Sequence, residues 1–244
     1  MKKLAIVAIF CLAAVCSFAQ DAKFYYYRGL QSAQQGNMDA AIADWTEAIR
    51  LNPEDANPYY NRGLAYDYKG DLDAAIADYT AALSLNPKGV RAYNNRGIAY
   101  ANKGDLDLAI ADYTAALKLN PEYAAAYYNR AAAYRAKGEL DAAIADYTAA
   151  LKLNPKDAAA YTNRGNAYRN KGELDQAIAD YTAALNLNPN LAEVYNNRGD
   201  AYRAQGELDA AIADYTAALS LNPEYAAAYT NRGLAYADKG ELDL

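Results

Sequence analysis

The polar side chains that could do chemistry in this chain recur at one fixed interval along the sequence. One evenly spaced row consists of asparagines: Asn61, Asn95, Asn129, Asn163, Asn197 and Asn231. A carboxamide offers both hydrogen-bond donors and an acceptor. The row therefore predicts contacts to the backbone of an extended peptide, whatever the side chains of that peptide are. The alternative is that each asparagine forms hydrogen bonds within the scaffold, for example to a neighbouring helix.

Three arginines, Arg135, Arg169 and Arg203, share a second position of the same period. The planar guanidinium fork matches the geometry of a carboxylate. This ladder predicts a preference for an acidic segment in the bound peptide. The alternative is a solvated face whose arginines pair with nearby acids such as Asp200 and Glu207.

Two further rows have opposite charges, which predicts ion pairs between helices. The arginines are Arg62, Arg96, Arg130, Arg164, Arg198 and Arg232, and the aspartates are Asp44, Asp78, Asp112, Asp146, Asp180 and Asp214. The repeated Asp-Leu-Asp, as at Asp71 and Asp73, lacks the glycine and the spaced oxygens of a calcium loop. It predicts helix capping.

Composition narrows the chemistry further. The chain has 244 residues, a net charge of −6, no histidine and two cysteines, Cys11 and Cys16, both near the start. Once the predicted leader is removed, the remaining chain has neither cysteine nor histidine. This argues against thiol nucleophiles, imidazole bases and the usual zinc ligands. Net acidity argues against nucleic-acid binding. We therefore predict no enzyme activity, no cofactor, no metal and no nucleic-acid partner, and no small-molecule substrate is evident.

Residues 1–19 have the features of a secretory signal peptide. Lys2 and Lys3 precede an apolar run, and Ser17-Phe18-Ala19 provides a small-x-small cleavage site. The apolar run is too short to span a bilayer, which takes about 20 residues. We expect export to the periplasm or cell surface of a bacterium. A lipoprotein attached through Cys16 is the alternative.

Six of the seven prolines recur at the same interval as the asparagines: Pro53, Pro87, Pro121, Pro155, Pro189 and Pro223. A strict period in the range of about 20–50 residues indicates stacked supersecondary units. In residues 56–89, Tyr59, Gly63 and Tyr66 mark one face of a first helix that runs to about Lys69.

A second helix follows after a tight turn. Gly70 is expected to end the first helix in a left-handed conformation, and Asp71 to cap the start of the second helix. Asn86 and Pro87 end the second helix, because proline disfavours helix in the residue before it. Glycine and alanine at the crossing, as at Gly63, allow a close approach of the two helices.

The residues of one unit form a motif: Tyr59-x-x-Arg62-Gly63-x-x-Tyr66, then Ala75-x-x-x-Tyr79, then Pro87. This motif resembles the tetratricopeptide repeat in a bacterial Asn-Arg-Gly form. The first unit departs from the pattern with Ser32 and Trp45, and the fourth has Ala131 in place of the glycine. The resemblance implies an all-α fold, a right-handed α-α superhelix (a solenoid) of six full repeats and a partial seventh. The repeats are 22–55, 56–89, 90–123, 124–157, 158–191, 192–225 and the partial 226–244.

Comparison of the units with one another shows three variable positions on one face of the first helix. The first reads Tyr26, Tyr60, Asn94, Tyr128, Thr162, Asn196 and Thr230; the second reads Leu30, Leu64, Ile98, Ala132, Asn166, Asp200 and Leu234; the third reads Ala33, Asp67, Ala101, Arg135, Arg169, Arg203 and Ala237. The resemblance implies that this face lines a concave groove. We predict that the groove binds peptide, with Tyr60 and Tyr128 among its contacts. Neutral drift at solvated positions is the alternative.

Three functions fit these features. The first is a non-catalytic protein-interaction scaffold that binds an extended peptide or a partner protein in the groove. The second is a structural solenoid that assembles end to end. The third is the substrate-binding arm of a larger enzyme that continues beyond Leu244.

Overall fold

The structure is a computed structural model that describes residues 20–241. The predicted signal peptide, with Cys11 and Cys16, lies outside the described residues, as do residues 242–244. Every regular element in the described part is an α-helix. The helices are α1 (20–34), α2 (Met38–Leu51), α3 (Ala56–Tyr68), α4 (Leu72–Leu85), α5 (Val90–Lys103), α6 (Leu106–Leu119), α7 (Ala124–Ala136), α8 (Leu140–Leu153), α9 (Ala158–Lys171), α10 (Leu174–Leu187), α11 (Ala192–Ala204), α12 (Leu208–Leu221) and α13 (Ala226–Lys239).

The chain divides into two compact units, Met1–Pro121 and Glu122–Leu244. The described helices α1–α6 belong to the first unit and α7–α13 to the second. In both units, an odd-numbered first helix forms a hairpin with the even-numbered second helix that follows it. None of the described helices combines the length and apolar character needed to cross a membrane.

The turn within each hairpin depends on glycine. Gly70 has a φ of +79°, a left-handed conformation that residues with a Cβ rarely adopt. The side chain of Asp71 then accepts a hydrogen bond of 3.1 Å from the amide of Ala74 and caps α4. At the other end, α4 stops at Leu85, directly before Asn86 and Pro87. The predicted roles of Gly70, Asp71 and the Asn-Pro pair are confirmed.

Close packing where the two helices of the hairpin cross explains the glycine at position 63. A Cβ on Gly63 would lie 2.9 Å from Cε1 of Tyr79, and the Tyr79 ring is fully buried. Ala75 in α4 is also fully buried, which brings the two backbones together. The ring of Tyr79 thus fills the space that the missing side chain of Gly63 leaves open.

An ion pair ties each first helix to its second helix. Arg62 donates two hydrogen bonds of 2.8 Å from Nε and Nη2 to the carboxylate of Asp78, whose side chain is 8% exposed. Arg62 Nη1 also donates to Thr46 Oγ1 of the preceding second helix, at 2.8 Å. The guanidinium lies between two tyrosine rings, those of Tyr59 and Tyr66.

The same ion pair recurs along both units, so the predicted pairing of the two charged rows is confirmed for five of the six predicted arginines. The other pairs are Arg28–Asp44, Arg96–Asp112, Arg130–Asp146, Arg164–Asp180 and Arg198–Asp214. The sixth predicted arginine, Arg232, instead donates from Nη1 to Thr216 Oγ1 at 3.3 Å.

Candidate functional site

The first helices line one side of each unit. Within the units, α3 contacts α5, and α7, α9, α11 and α13 contact one another in order. Within the units, α4 packs between the first helices α3 and α5, α8 between α7 and α9, α10 between α9 and α11, and α12 between α11 and α13. We use "first-helix face" for the side of these helices that carries the three variable positions, such as Tyr60, Leu64 and Asp67 on α3.

The asparagine row lies on this face, and its amino groups bind the preceding repeat. Asn95 Nδ2 donates to the hydroxyl of Tyr60 at 3.1 Å. Asn163 Nδ2 donates to the hydroxyl of Tyr128 at 2.8 Å. The two partners have the same separation along the chain in both cases, so these bonds connect successive first helices.

The other members of the row differ in detail. Asn61 Nδ2 donates to Tyr26 at 3.2 Å, and Asn231 Nδ2 donates to Asn196 and Asp200 at 3.1 and 2.9 Å. Asn197 is 9% exposed and is placed between Asn166 and Arg169. Asn129 is half-buried on α7. The alternative interpretation, hydrogen bonding within the scaffold, therefore accounts for the amino groups of Asn61, Asn95, Asn163, Asn197 and Asn231.

The carboxamide oxygens of the row differ from one another in whether they accept a hydrogen bond. Oδ1 of Asn95 accepts from Asn94, and Oδ1 of Asn197 accepts from Arg169 at 3.4 Å. Oδ1 of Asn61, Asn163 and Asn231 accepts no hydrogen bond from any described residue. Each of these three side chains is only partly buried. Their oxygens can accept hydrogen bonds from the backbone amides of a ligand.

Tyr60 and Tyr128 occupy equivalent places and border equivalent pockets. In the first unit, a pocket of 330 Å³ is lined by Tyr60, Ala56 and Asn86 together with the start of α5. In the second unit, a pocket of 360 Å³ is lined by Tyr128, Ala124 and Asn154. Each tyrosine ring also lies against the buried tyrosine of its own hairpin: the Tyr60–Tyr79 centroid distance is 5.9 Å and the Tyr128–Tyr147 distance is 5.6 Å.

The first unit presents an apolar part of the first-helix face. Leu30, Leu64, Trp45 and Tyr68 are among the residues that line a pocket of 400 Å³ between α1 and α3. Leu64 is 36% exposed and Tyr68 is 78% exposed. Burial raises the pKa of Asp67 on the same face. This pocket is suited to apolar side chains.

In the second unit, two of the three predicted arginines are paired within the scaffold. Arg169 Nη1 donates to Asp200 Oδ2 at 3.3 Å, and Arg203 Nε donates to Asp238 Oδ2 at 2.7 Å. Asp200 also accepts from the hydroxyl of Tyr215 at 2.9 Å. Burial raises the pKa of Asp200, although the Tyr215 hydroxyl and the charge of Arg169 act in the opposite direction.

The third arginine has a different environment. Nε of Arg135 is buried and has no hydrogen-bond partner among the described residues, and the same holds for the hydroxyl of Tyr147. Burial raises the pKa of Tyr147 to about 12, and the nearby positive charge of Arg135 opposes the rise. The predicted preference for an acidic peptide therefore depends mainly on Arg135.

Some of these contacts follow from the sequence and others do not. The predicted alternative partner Asp200 does pair with Arg169, whereas Glu207, the other, is exposed and Arg203 pairs with Asp238 instead. The hydrogen bonds of the buried tyrosines were missed. A signal for them existed, since Asn166 and Asp200 replace apolar residues 15 positions before Tyr181 and Tyr215, and both accept from those hydroxyls.

Comparison with known proteins identifies the family of the chain. The family model described as TPR repeat matches residues 29–67, 131–172, 165–202 and 199–240. Two models described as tetratricopeptide repeat match residues 60–121 and 112–145. The chain belongs to the tetratricopeptide repeat family. Repeats of this family typically mediate protein–protein interactions and generally form non-catalytic scaffolds. No match was found among curated proteins.

Solved structures of tetratricopeptide repeat proteins share the fold. YrrB, a TPR protein with an unusual peptide-binding site, is 26% identical, with a TM-score of 0.68 over 76% of this chain and 96% of its own. MamA is 31% identical, with a TM-score of 0.65 over 67% of this chain and 96% of its own. A tetratricopeptide repeat protein from Parabacteroides merdae is 24% identical, with a TM-score of 0.74 over 91% of this chain and 88% of its own. The predicted all-α superhelical repeat fold is confirmed.

Proposed function

We propose that this tetratricopeptide repeat protein is an exported, non-catalytic scaffold that binds an extended peptide segment of a partner protein on the first-helix face. The proposal rests on the hydrogen bonds of the asparagine row, in which the amino groups and the carboxamide oxygens have different roles. The amino groups hold successive first helices together, while Oδ1 of Asn61, Asn163 and Asn231 remains able to accept from a ligand. YrrB, which has a peptide-binding site, supports the proposal by analogy.

Binding of this kind gains its affinity from several modest contacts. A hydrogen bond that replaces one to water contributes about 0.5–1.5 kcal/mol. Contact with Tyr60 or Tyr128 and with the apolar pocket at Leu64 adds burial of nonpolar surface, at about 25 cal/mol per Å². Because the asparagines contact the backbone of the peptide, preference for a peptide sequence arises mainly where peptide side chains meet the variable positions.

The test begins with selection of short peptides from a displayed random library, against the purified full chain. The affinity of a selected, fluorescently labelled peptide is then measured by anisotropy for the wild type and for an Asn163→Ala, Asn231→Ala double variant. Loss of two hydrogen bonds predicts roughly a 10-fold rise in the dissociation constant or more.

The control is Lys152→Ala, which alters an exposed residue of the second helix α8. It should leave the dissociation constant unchanged. Equal affinity of the double variant and the wild type would show that the first-helix asparagines do not contact the peptide. A library that yields no binding peptide would overturn the proposal as a whole.

Export is the second part of the proposal. It is supported by the charged start, the apolar run and the small-x-small site at Ala19. Expression in a bacterium with an intact secretion system should give a mature protein that begins at Gln20, as determined by N-terminal sequencing. A lipid-modified chain that begins at Cys16 would support the lipoprotein alternative, and an intact Met1 in the cytoplasm would exclude both.

End-to-end self-association is a second candidate function, favoured by α13. Among the described residues, no atom outside the local backbone of α13 lies within 4 Å of a Cβ placed on Gly233, whereas the equivalent position of α9 is covered by Tyr181. Tyr229 and Leu234 on α13 are 51% and 43% exposed. Light scattering should then show a molecular mass that rises with protein concentration. A Tyr229→Ser, Leu234→Ser variant should show no such rise. A constant monomer mass would exclude this function.

A further inference from the structure

We propose that one side of α13, formed by Tyr229, Arg232 and Gly233, binds an amphipathic helix of a partner protein in which an aspartate directly precedes a tyrosine or a tryptophan. These three residues, here called the α13 surface, are spaced to share one side of the helix. None of them belongs to the asparagine row or to the three variable positions. Binding of this helix is therefore a function beyond the proposed contacts of the first-helix face.

The glycine of the α13 surface differs from its equivalents in other hairpins. A Cβ on Gly199 would lie 2.8 Å from Cε1 of Tyr215, whose ring is fully buried. In the first hairpin, the ring of Trp45 covers Gly29 in the same way. Gly233 is exposed, and among the described residues no atom of another helix lies within 4 Å of a Cβ placed on it. The α13 surface thus has room for an aromatic ring.

The neighbouring arginine makes the same comparison for charge. Arg198 donates from Nε and Nη2 to the carboxylate of Asp214 at 2.7 and 2.8 Å, and Asp214 directly precedes Tyr215 in α12. Arg232 has the equivalent position on α13 but pairs with no carboxylate of the described residues, and its Nη1 donates to Thr216 at 3.3 Å. The α13 surface therefore presents a positive charge at the place where an aspartate binds in the preceding hairpin.

The tyrosine of the α13 surface indicates which apolar residues the partner helix needs. Tyr195 packs against Ala218 and Leu219 of α12, whereas Tyr229 is 51% exposed. Ala211 of α12 is also fully buried. Residues 211–219 thus define a pattern, Ala-x-x-Asp-Tyr-x-x-Ala-Leu, whose named positions lie on one face of a helix. A helix with this pattern complements the α13 surface in shape and in charge.

A second copy of this chain offers no free helix with this pattern within the described residues. Its pairs of an aspartate and an aromatic residue are all buried in their own hairpins: Asp44–Trp45, Asp78–Tyr79, Asp112–Tyr113, Asp146–Tyr147, Asp180–Tyr181 and Asp214–Tyr215. Two α13 surfaces that faced each other would bring Arg232 close to its own copy, and like charges repel. The partner is therefore a helix of another protein, bound as a helix in a groove.

The test uses a fluorescently labelled synthetic peptide with the sequence of residues 206–221. A covalent link between positions 209 and 213, which are exposed in α12, keeps it helical. Anisotropy with the purified full chain should show saturable binding. Peptides with Tyr215→Ala or Asp214→Asn should bind roughly 10-fold less tightly. A parent peptide that does not bind, or a Tyr215→Ala peptide of equal affinity, would overturn the inference.

Variants of the protein show where the peptide binds. Gly233→Leu places a side chain in the space for the aromatic ring and should weaken binding of the parent peptide by about 10-fold or more. The exposed control Lys152→Ala on α8 should leave the affinity unchanged. Circular dichroism checks that each variant is folded. Equal affinity of Gly233→Leu and wild type would show that the peptide binds elsewhere, and the assignment to α13 would be wrong.

The predicted ion pair is tested by combining variants of both molecules. Arg232→Gln should weaken the parent peptide about 10-fold but leave the affinity of the Asp214→Asn peptide unchanged, because that peptide has no carboxylate to lose a partner. An equal effect on both peptides would contradict the requirement for an aspartate.

Light scattering of the protein without peptide tests the other occupant. A constant monomer mass is expected at the concentrations used for anisotropy. A dimer that is lost in Gly233→Leu would assign the α13 surface to a second copy and overturn the inference. The asparagines of the first-helix face take no part in these measurements, so a negative result here leaves the proposed function intact.

Discussion

At the scale of single residues, the proposed function gives the asparagine side chains a binding role beside their structural one. Asn163 shows the arrangement clearly: its amino group donates to Tyr128 at 2.8 Å, and its oxygen accepts from no described residue. The amide dipole is therefore held in one orientation by the preceding repeat. A fixed acceptor loses less entropy on binding than a mobile one. This accounts for a single residue type along the row, because neither aspartate nor alanine supplies both atoms.

Asp200 is one residue whose protonation should affect folding. Burial raises its pKa above the ordinary aspartate value of about 3.9. The folded state therefore binds this proton more tightly than the unfolded state, and the resulting stability is complete below the ordinary value and is lost as pH rises through the folded-state pKa.

The prediction is tested with Asp200→Asn, since Asn166 shows that an amide can accept from the buried tyrosine hydroxyl. The free energy of unfolding is measured in urea between pH 7 and pH 4. As pH falls, the wild type should gain stability relative to the variant. A difference that stays constant over this range would contradict the assignment.

At the scale of the helical elements, the contact between first and second helix determines both packing and register. A glycine in the first helix and a tyrosine in the second fit together, as Gly165 and Tyr181 do in α9 and α10. The pairs such as Arg62–Asp78 then connect the two helices through nearly buried charges. Each pair needs opposite charges at one constant separation along the chain, which is why both rows keep the same residue type in every repeat.

Replacement of the crossing glycine should have opposite effects in two repeats. A Cβ in Gly165→Ala would lie 2.8 Å from Cε1 of Tyr181 and 3.3 Å from the carbonyl oxygen of Ala177. Overpacking costs about 1–3 kcal/mol, whereas alanine is more favourable than glycine within a helix by about 1 kcal/mol. We therefore expect the free energy of unfolding to fall by roughly 1 kcal/mol.

The control is Gly233→Ala, because no side chain of the described residues lies within 4 Å of the added methyl group. It should leave stability unchanged or raise it by up to about 1 kcal/mol. Urea unfolding followed by circular dichroism measures both. Equal destabilisation by the two substitutions would show that the packing of Tyr181 is not the cause.

Removal of one charge of the interhelical pair should be costly. Arg62→Ala leaves the carboxylate of Asp78, 8% exposed, without its partner. Breaking a buried pair in this way costs about 3–5 kcal/mol. The double variant Arg62→Met, Asp78→Leu should recover most of that loss, since it removes both charges.

The same urea experiment measures these variants against Arg91→Ala, which changes an exposed arginine of α5. That control should stay within about 0.5 kcal/mol of wild type. A loss for Arg62→Ala no larger than the control would mean that the pair contributes little to stability.

At the scale of the whole molecule, periodicity alone predicts most of the fold. The constant repeat interval, the left-handed glycines such as Gly70 and the Asn-Pro pairs define the helices and their ends, because each acts through the local backbone. Contacts between successive first helices were less predictable. They connect residues 28, 31 or 35 positions apart. Only the coordinates show that Arg169 contacts Asp200, whereas Nε of Arg135 has no hydrogen-bond partner among the described residues. The division at Pro121 has no counterpart in the repeat pattern, which is equally regular there.

The central claim is that a peptide binds the first-helix face, and site-specific photo-crosslinking tests it most directly. A benzophenone amino acid replaces Thr162 on the first helix α9, where Tyr60 and Tyr128 show that an aromatic side chain fits, or Lys152 on the second helix α8. With a peptide selected from the library, we predict a crosslink from position 162 and none from position 152. A crosslink from position 152 alone would contradict the account.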